Sequence, residues 1–336
     1  MKKTLWAIIK TAGAAIIAIV VLSLFTLVYW YDGIHITNQT GATDYVWRSN
    51  EYISTMTEGF TWMRMNSSGF NNADVYQQSD ILFMGSSHTD DLHFSRDKNA
   101  AVLVNQMTGL DTYNIGMSGH TIYRCVDNFN RALNVYHPDK YVVIETSTIE
   151  LSIKEMKKVI DGTAVPIESF DSGMVYMLQQ IPALKPIVNQ LKEWVRIDHK
   201  NTPSAKVTVP DREITEEYLD TLQSFLNIVR KGSLSSGITT IIYYHPAEKL
   251  LADGSIKYKT NDKYLEAFAR TCEEQGIIFV DMTEAFQEMY ISESVLAHGF
   301  LNTKVGSGHL NEFGHKAIAH KLSEVILEEE NKHGTN

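Results

Sequence analysis

Two short motifs carry residue types that suit nucleophilic catalysis. Ser87 lies in Gly85-Ser86-Ser87-His88, directly after the apolar run Ile81 to Met84. A serine on a tight turn at the end of a strand can expose its hydroxyl and offer its own N–H to an oxyanion. Such a serine needs a base near neutral pH, and His309, in a glycine-rich loop before the last predicted helix, is the best placed in sequence. These residues predict acyl-transfer chemistry with Ser87 as nucleophile and His309 as base.

Two further segments follow apolar runs and are expected at the same edge. One is Asn114 to Gly119, in which glycine lets a backbone N–H approach a ligand closely. The other is Glu145-Thr146-Ser147-Thr148. The N–H of Ser87 can help to bind an oxyanion, and these two segments are candidates to line the same site. His88 is a candidate to line the same site.

Short apolar strands that alternate with helices are expected to position these motifs. Such alternation predicts a parallel sheet covered on both faces, and right-handed crossovers make it a doubly wound α/β/α sandwich. We place this domain at residues 79–330, with a helical insert at about 153–232 that is interpreted as a packed cap; the alternative is an apolar patch that touches a membrane or a membrane partner. The predicted strands and helices are strands at 81–84, 112–115, 141–145, 239–244 and 277–280, and helices at 99–108, 122–136, 262–275 and 312–329.

The N-terminal part of the chain is predicted to contain a membrane-spanning segment. Three lysines lie within residues 1–10, and an uncharged run follows at 11–31. At about 1.5 Å per residue this run spans roughly 30 Å, the thickness of a bilayer core. The positive-inside rule places residues 1–10 in the cytoplasm and the domain outside, with 32–78 as a juxtamembrane segment. A cleaved signal peptide is the alternative.

The amino-acid composition limits the classes of partner and cofactor that the protein is expected to bind. Hydrophobic residues make up 44% of the 336-residue chain and charged residues 21%, which indicates a globular protein. The formal net charge of −10 argues against general nucleic-acid binding. No group of side chains has metal-ligand spacing, and no Walker or dinucleotide glycine motif occurs, so we expect no metal and no cofactor. Cys125 and Cys272 are interpreted as packing residues, and a disulfide between them is the alternative.

The ordered motifs resemble those of the GDSL/SGNH hydrolase family. Gly-x-Ser after the first strand, Gly-x-Ser-Gly after the second and His-x-Asn-x-x-Gly before the last helix cover roughly residues 79–330. The resemblance implies an SGNH-type fold, with Ser87 as nucleophile, Gly119 as an oxyanion donor and His309 as base.

Two departures from the family pattern affect the predicted site. Gly306 stands where the family usually has an aspartate, and residues 145–148 lack the usual asparagine. A backbone carbonyl or a distant carboxylate must then orient His309, and Glu312 and Glu145 are the candidates. By this resemblance the N–H groups of Ser87 and Gly119 form an oxyanion hole, completed by the hydroxyl of Thr146 or Ser147 in place of the asparagine, and the sequence does not choose between these two.

Three functions follow as hypotheses. The first is an extracytoplasmic O-acyltransferase or esterase that modifies a cell-envelope polysaccharide. Its anchored topology resembles exported acyltransferases that work with a multi-spanning membrane acyl donor. The second is an anchored esterase that transfers the acyl group of a lipid, a carbohydrate or a small ester to water. The third is a non-catalytic glycan-binding or assembly subunit that kept the fold, which is motivated by the two departures.

Four residues near the motifs have structural interpretations. Asp90 and Asp91 are expected to cap the following segment or to face solvent. Asn311 is a plausible N-cap of the last helix. His315, on that helix, is expected at the surface or in packing.

Overall fold

The structure, a computed structural model, describes residues 2–29, 33, 35–56, 58–73, 78–163 and 214–334. The helices in these ranges are α1 Lys2–Tyr29, α2 Ser87–Asp90, α3 Ala100–Thr108, α4 Ile122–Tyr136, α5 Ile153–Ile160, α6 Glu216–Ser236, α7 Asp262–Glu274, α8 Thr283–Glu293 and α9 Glu312–Gly334, with a 3₁₀ turn at Arg96–Lys98. The strands are β1 His35–Thr37, β2 Tyr45–Trp47, β3 Tyr52–Thr55, β4 Thr61–Arg64, β5 Ile81–Met84, β6 Thr112–Asn114, β7 Tyr141–Thr146, β8 Thr239–Tyr244, β9 Ala247–Leu250, β10 Ile256–Lys259 and β11 Ile278–Asp281.

Five of these strands form a parallel sheet in the order β6–β5–β7–β8–β11. Numbered along the chain, this is the order 2-1-3-4-5 of a doubly wound sheet. The prediction of a doubly wound α/β/α sandwich is confirmed, and each predicted sheet strand is present within one residue at either end. The strand order reverses between β5 and β7, so the switch point, where ligands bind in such sheets, lies beside residues 85–88 and 146–148.

The sheet strands are apolar throughout because both faces are buried. Along each strand successive side chains point to opposite faces. Leu82 and Val142 enter one core with α4 and α6, whereas Phe83 and Val143 enter a second core with α3 and α9. Burial of each such side chain contributes about 1.5–3 kcal/mol to stability.

The chain before the sheet is folded against the first core. β1 pairs with β2 and β3 pairs with β4, each as an antiparallel hairpin. Side chains from this part of the chain are buried in the same cluster as the sheet: Tyr45, Val46, Trp47, Ile53, Met63, Met65 and Phe70. Part of the range 32–78, predicted as a juxtamembrane segment, therefore packs on the domain.

The structure bears on the predicted insert and on the predicted role of the two cysteines. The two ends of the predicted insert form helices, α5 and α6, as expected. Residues 164–213, between them, lie outside the described residues. Cys125 and Cys272 are buried free thiols, so the packing interpretation is confirmed and no disulfide joins them. The β9–β10 hairpin and α8 were not predicted.

α1 is exposed along most of its length. It is long and apolar enough, by length and composition, to cross a membrane. A signal sequence near an N-terminus has the same two properties.

Candidate active site

Ser87 lies at the carboxyl edge of the sheet, where β5 turns into α2. Ser86 caps α2, because its side-chain oxygen accepts the N–H of His88 at 3.2 Å. The N–H of Ser86 donates to Oε2 of Glu145 at 2.7 Å. Since Glu145 belongs to the neighbouring strand β7, this bond holds the serine turn at the switch point.

His309 is brought to Ser87 by the loop before α9. Asn311 caps that helix, as predicted, through an Oδ1 that accepts the N–H groups of Phe313 and Gly314 at 2.9 and 3.1 Å. Nε2 of His309 lies 2.8 Å from Oγ of Ser87. The two residues singled out from the sequence as nucleophile and base are therefore within hydrogen-bond distance, as such a pair requires.

The acid that orients His309 is Glu58. Oε2 of Glu58 lies 2.5 Å from Nδ1 of His309 and also accepts the backbone N–H of His309 at 3.0 Å. These hydrogen bonds from His309 outweigh partial burial and lower the pKa of Glu58 to about 2. Glu58 is therefore a carboxylate at neutral pH, and it places the proton of a neutral His309 on Nδ1, which leaves Nε2 to accept the proton of Ser87.

Glu58 reaches the site from the turn between β3 and β4. Asn302 holds this turn, because its side chain accepts the N–H of Gly59 and donates to the carbonyls of Met56 and Gly59. On the other side, Gly308 has a φ of +103°, and a Cβ at that position would lie 2.9 Å from Oε2 of Glu58. A glycine before His309 therefore allows the carboxylate to approach.

The two carboxylates proposed from the sequence to orient His309 are engaged elsewhere. Glu312 pairs with Lys98 on the surface. Glu145 binds the N–H of Ser86 and, at 2.8 Å, Nε2 of His245. Those two assignments were wrong, and Glu58 was missed because no spacing connects two residues that lie 251 positions apart.

His93 is a second residue that the sequence analysis missed. Its ring stacks on that of His309, with centroids 4.2 Å apart and planes at 26°. Nδ1 of His93 lies 3.1 Å from the carbonyl oxygen of Glu58. Burial lowers the pKa of His93 to about 4, so this ring is neutral at neutral pH and supports His309 without adding a charge.

The segment with Gly119 is fixed to the serine turn. The N–H of Met117 donates to the carbonyl of Gly85 at 3.0 Å, and Ser118 donates to Oδ2 of Asp90 through both its N–H and its hydroxyl. Gly119 has a φ of +89°, a backbone angle that residues with a side chain rarely adopt, and a Cβ there would lie 2.8 Å from the hydroxyl oxygen of Tyr45. A glycine is thus required here, and its role as an oxyanion donor stays a prediction.

The structure separates the two hydroxyl candidates after β7. Thr146 is buried, and its Oγ1 donates to the carbonyl of Thr148 at 2.6 Å. Ser147 is exposed and lines a cleft that encloses about 970 Å³. Of the pair, Ser147 is the one that lines the cleft. His88 and Gly308, the chain neighbours of Ser87 and His309, line the same cleft.

Asp90, Asp91 and His315 are buried, which differs from the solvent-facing alternatives. Asp90 accepts the indole N–H of Trp47 at 3.0 Å in addition to the bonds from Ser118, and burial raises its pKa to about 6. Burial likewise raises the pKa of Asp91 well above its usual range. His315 packs inside, where its Nδ1 accepts the N–H of Ala100 at 3.0 Å. Asp90 ties the N-terminal hairpins and the Gly119 segment to α2.

Two groups of side chains bring possible metal ligands together. His88, His245 and His298 offer nitrogens within 4.8 Å of one another, and so do the ligand atoms of Glu58, His93 and His309. Burial, followed by the neighbouring His245, lowers the pKa of His88 well below its usual range. The expectation of no metal site was drawn from spacing along the chain, and neither group has a recognisable spacing there.

Comparison by sequence gave no match, either to a family model or to a curated protein. Comparison by structure returned GDSL/SGNH hydrolases among the similar solved structures. An acetyl xylan esterase, AlAXEase, is 13% identical, with a TM-score of 0.41 over 73% of this chain and 98% of that chain. A member of the lipolytic G-D-S-L family from Veillonella parvula is 13% identical, with a TM-score of 0.38 over 74% of this chain and 97% of that chain. These distant likenesses concern the fold, so the chemistry must be argued from the site itself.

Proposed function

We propose that the protein is an anchored, extracytoplasmic serine esterase or O-acyltransferase that acts on a cell-envelope glycan through an acyl-enzyme on Ser87. The observation that carries this proposal is the continuous chain of contacts from Oγ of Ser87 to Nε2 of His309, at 2.8 Å, and from Nδ1 of His309 to Glu58, at 2.5 Å. A serine, a histidine and a carboxylate in this order make a hydroxyl nucleophilic at neutral pH.

The first half of the reaction forms the acyl-enzyme. Nε2 of His309 takes the proton of Ser87 while Oγ attacks the ester carbonyl carbon. The N–H groups of Ser87 and Gly119, with the hydroxyl of Ser147, stabilise the oxyanion. The bond to the alcohol oxygen then breaks, and His309 returns the proton to the leaving alcohol. Glu58 stabilises the imidazolium without taking its proton.

The second half releases the acyl group. Water or a sugar hydroxyl gives its proton to His309 and attacks the acyl carbon, after which Ser87 recovers its proton. Polar residues of the cleft, among them Ser147, Glu150 and Asn261, suit an acceptor rich in hydroxyl groups. Three lysines within the first ten residues, followed by no lysine or arginine from residue 11 to residue 47, support an outward-facing domain, where such glycans lie and where a multi-spanning acyl donor could meet the anchored domain.

Glu58 bears on the non-catalytic alternative. That alternative was motivated in part by Gly306 in place of an aspartate, which would leave His309 without an orienting acid. Since Glu58 occupies that role in space, the departure at Gly306 no longer favours a binding or assembly subunit over an enzyme.

Labelling of the full chain in detergent with a serine-directed fluorophosphonate tests the proposal. We expect Ser87→Ala to abolish labelling and His309→Ala to reduce it strongly, whereas Ser236→Ala, at an exposed position on α6, leaves it unchanged. Undiminished labelling of Ser87→Ala would remove Ser87 from this role. Turnover of p-nitrophenyl acetate, with and without added glycan, then separates hydrolysis from transfer.

A further inference from the structure

Three histidines from separate segments converge on one wall of the cleft. His88 lies on α2, His245 follows β8, and His298 precedes the His309 loop. One nitrogen of each lies within 4.8 Å of the others. Their ring centroids are 4.5 Å apart for His88 and His245, 5.7 Å for His245 and His298, and 6.0 Å for His88 and His298. All three line the cleft.

Buried carboxylates support two of these rings from behind. Oε1 of Glu145 lies within hydrogen-bond distance of Nε2 of His245, at 2.8 Å. Oε1 of Glu248 lies 3.4 Å from Nδ1 of His298, a close approach of charge that is not a hydrogen bond. All four side chains are nearly inaccessible, with exposures of 5% or less. In His245, the contact with Glu145 takes the outer N–H, fixes the tautomer and leaves Nδ1 as a lone pair, which is the arrangement found behind metal-bound histidines.

The inner nitrogen of His245 has no hydrogen-bond partner among the described residues. His245 is 1% exposed, and its Nδ1 is a buried polar atom without a partner. Because Nε2 donates to Glu145, this Nδ1 carries an unshared electron pair. A buried acceptor without a donor is unfavourable, and a cation would satisfy it.

We propose that His88, His245 and His298 bind a divalent transition-metal ion of the Zn²⁺ type, with an open coordination position that faces the cleft. Imidazole nitrogens are ligands of choice for Zn²⁺, Co²⁺ and their neighbours, and three histidines with one open position make a site of the catalytic type. Zinc–nitrogen distances of about 2.0–2.1 Å require the nitrogens to close to roughly 3.4 Å from one another. Binding through Nε2 of His88 also requires the 3.2 Å contact between its Nδ1 and the N–H of Leu310 to open.

The second group, Glu58, His93 and His309, is the weaker candidate. Both nitrogens of His309 already have partners there, Ser87 and Glu58. An ion in that group would have to displace one of them, whereas an ion among His88, His245 and His298 leaves the serine, histidine and glutamate contacts in place. The ring centroid of His88 is 5.0 Å from that of His309, so an ion bound by His88 would lie near the base of the serine site.

Co²⁺ binding to the full chain tests the site. The protein is purified in detergent without a polyhistidine tag, treated with a chelator, and titrated with Co²⁺ while the visible absorption of the ion is recorded. We expect one equivalent to give the intense bands of a four- or five-coordinate site, and Zn²⁺ to displace it. His88→Gln and His298→Gln should each weaken Co²⁺ binding at least about 100-fold. His320→Gln, at an exposed position on α9, should leave it unchanged.

Three outcomes would overturn the proposal: no saturable Co²⁺ band in the wild type, full binding by both His88→Gln and His298→Gln, or loss of binding in His93→Gln alone. Thermal unfolding shows whether each variant is folded. X-ray absorption of the wild type loaded with Zn²⁺ provides a measurement that needs no variant, and we expect a first shell with three imidazole nitrogens. A first shell of oxygens only would also overturn the proposal.

Discussion

The Glu58–His309 pair and the Glu145–His245 pair use the same chemical groups in different surroundings. Their oxygen–nitrogen distances are 2.5 and 2.8 Å. The side chains of Glu58 and His309 are 27% and 29% exposed, whereas those of Glu145 and His245 are each 1% exposed. The carboxylate contacts Nδ1 in His309 and Nε2 in His245, and the larger difference between the pairs is access to solvent.

This difference assigns the two pairs to different tasks. The second nitrogen of His309 reaches Ser87, so a proton can pass between the serine and a group that a substrate can approach. Glu145, in contrast, joins β7 to the residue after β8 and to the N–H of Ser86, so it holds the serine turn in place. Burial makes that second pair expensive to break, because a lone buried charge or donor is left behind.

Glu58→Gln should have the largest effect on activity. A glutamine can donate its amide N–H to Nδ1 of His309 and so favour the tautomer that has its acceptor at Nδ1 and its proton on Nε2, which leaves no lone pair there to take the proton of Ser87. We expect kcat for p-nitrophenyl acetate to fall by about 10²–10⁴-fold. Glu324→Gln, an exposed change on α9, is the matched control. Retention of more than about a tenth of the activity would contradict the orienting role of Glu58.

Glu145→Ala should lower the free energy of unfolding by more than Glu58→Ala does. Removal of Glu145 leaves the N–H of Ser86 and Nε2 of His245 without their partner inside the protein. We expect the free energy of unfolding to fall by about 3–5 kcal/mol, and by only about 1 kcal/mol or less for the partly exposed Glu58. Thermal unfolding of the two variants in the same detergent measures this contrast. Equal losses would show that burial does not separate the pairs.

Ser87, His309 and Glu58 differ in how far the sequence predicts their roles. Ser87 and His309 are marked by adjacent glycines and by their places at a strand end and a helix start, which are local signals. The sheet strands are equally recognisable, because burial on both faces makes Ile81 to Met84 apolar throughout. No sequence motif marks Glu58. Its position depends on the four-residue strands that flank it and on the approach of Asn302 and Gly308 from distant parts of the chain.

A related limit applies to the histidine cluster. His88, His245 and His298 are more than 50 positions apart along the chain, and each follows a different element. Their convergence depends on the sheet order, which brings the carboxyl ends of β5, β7 and β8 side by side. A search for ligands at short spacing could not have found them, whereas the strand order, once known, places His88 and His245 at one edge.

Replacement of His93 should have a smaller effect on activity than replacement of Glu58, because His93 acts on His309 through packing. His93→Ala removes the stacked ring and the contact with the carbonyl of Glu58. We expect kcat to fall by about tenfold, with KM nearly unchanged, since a slightly misplaced base loses rate rather than binding. His93→Phe keeps a ring in the stack and should recover part of the loss. A change confined to KM would place His93 in substrate binding instead.

The pH dependence of stability gives the smallest effect and the clearest sign. Hydrogen bonds from His309 lower the pKa of Glu58 from 4.5 to about 2, so its stabilisation is complete above 4.5 and is lost as the pH falls toward 2. The difference in Tm between the wild type and Glu58→Gln should therefore be constant near neutral pH and should close over that acidic range.

Burial raises the pKa of Asp90 from 3.8 to about 6, so its contribution to stability declines as the pH rises through 6. The difference between the wild type and Asp90→Asn should accordingly shrink in the opposite direction, and parallel slopes for the two variants would contradict both assignments.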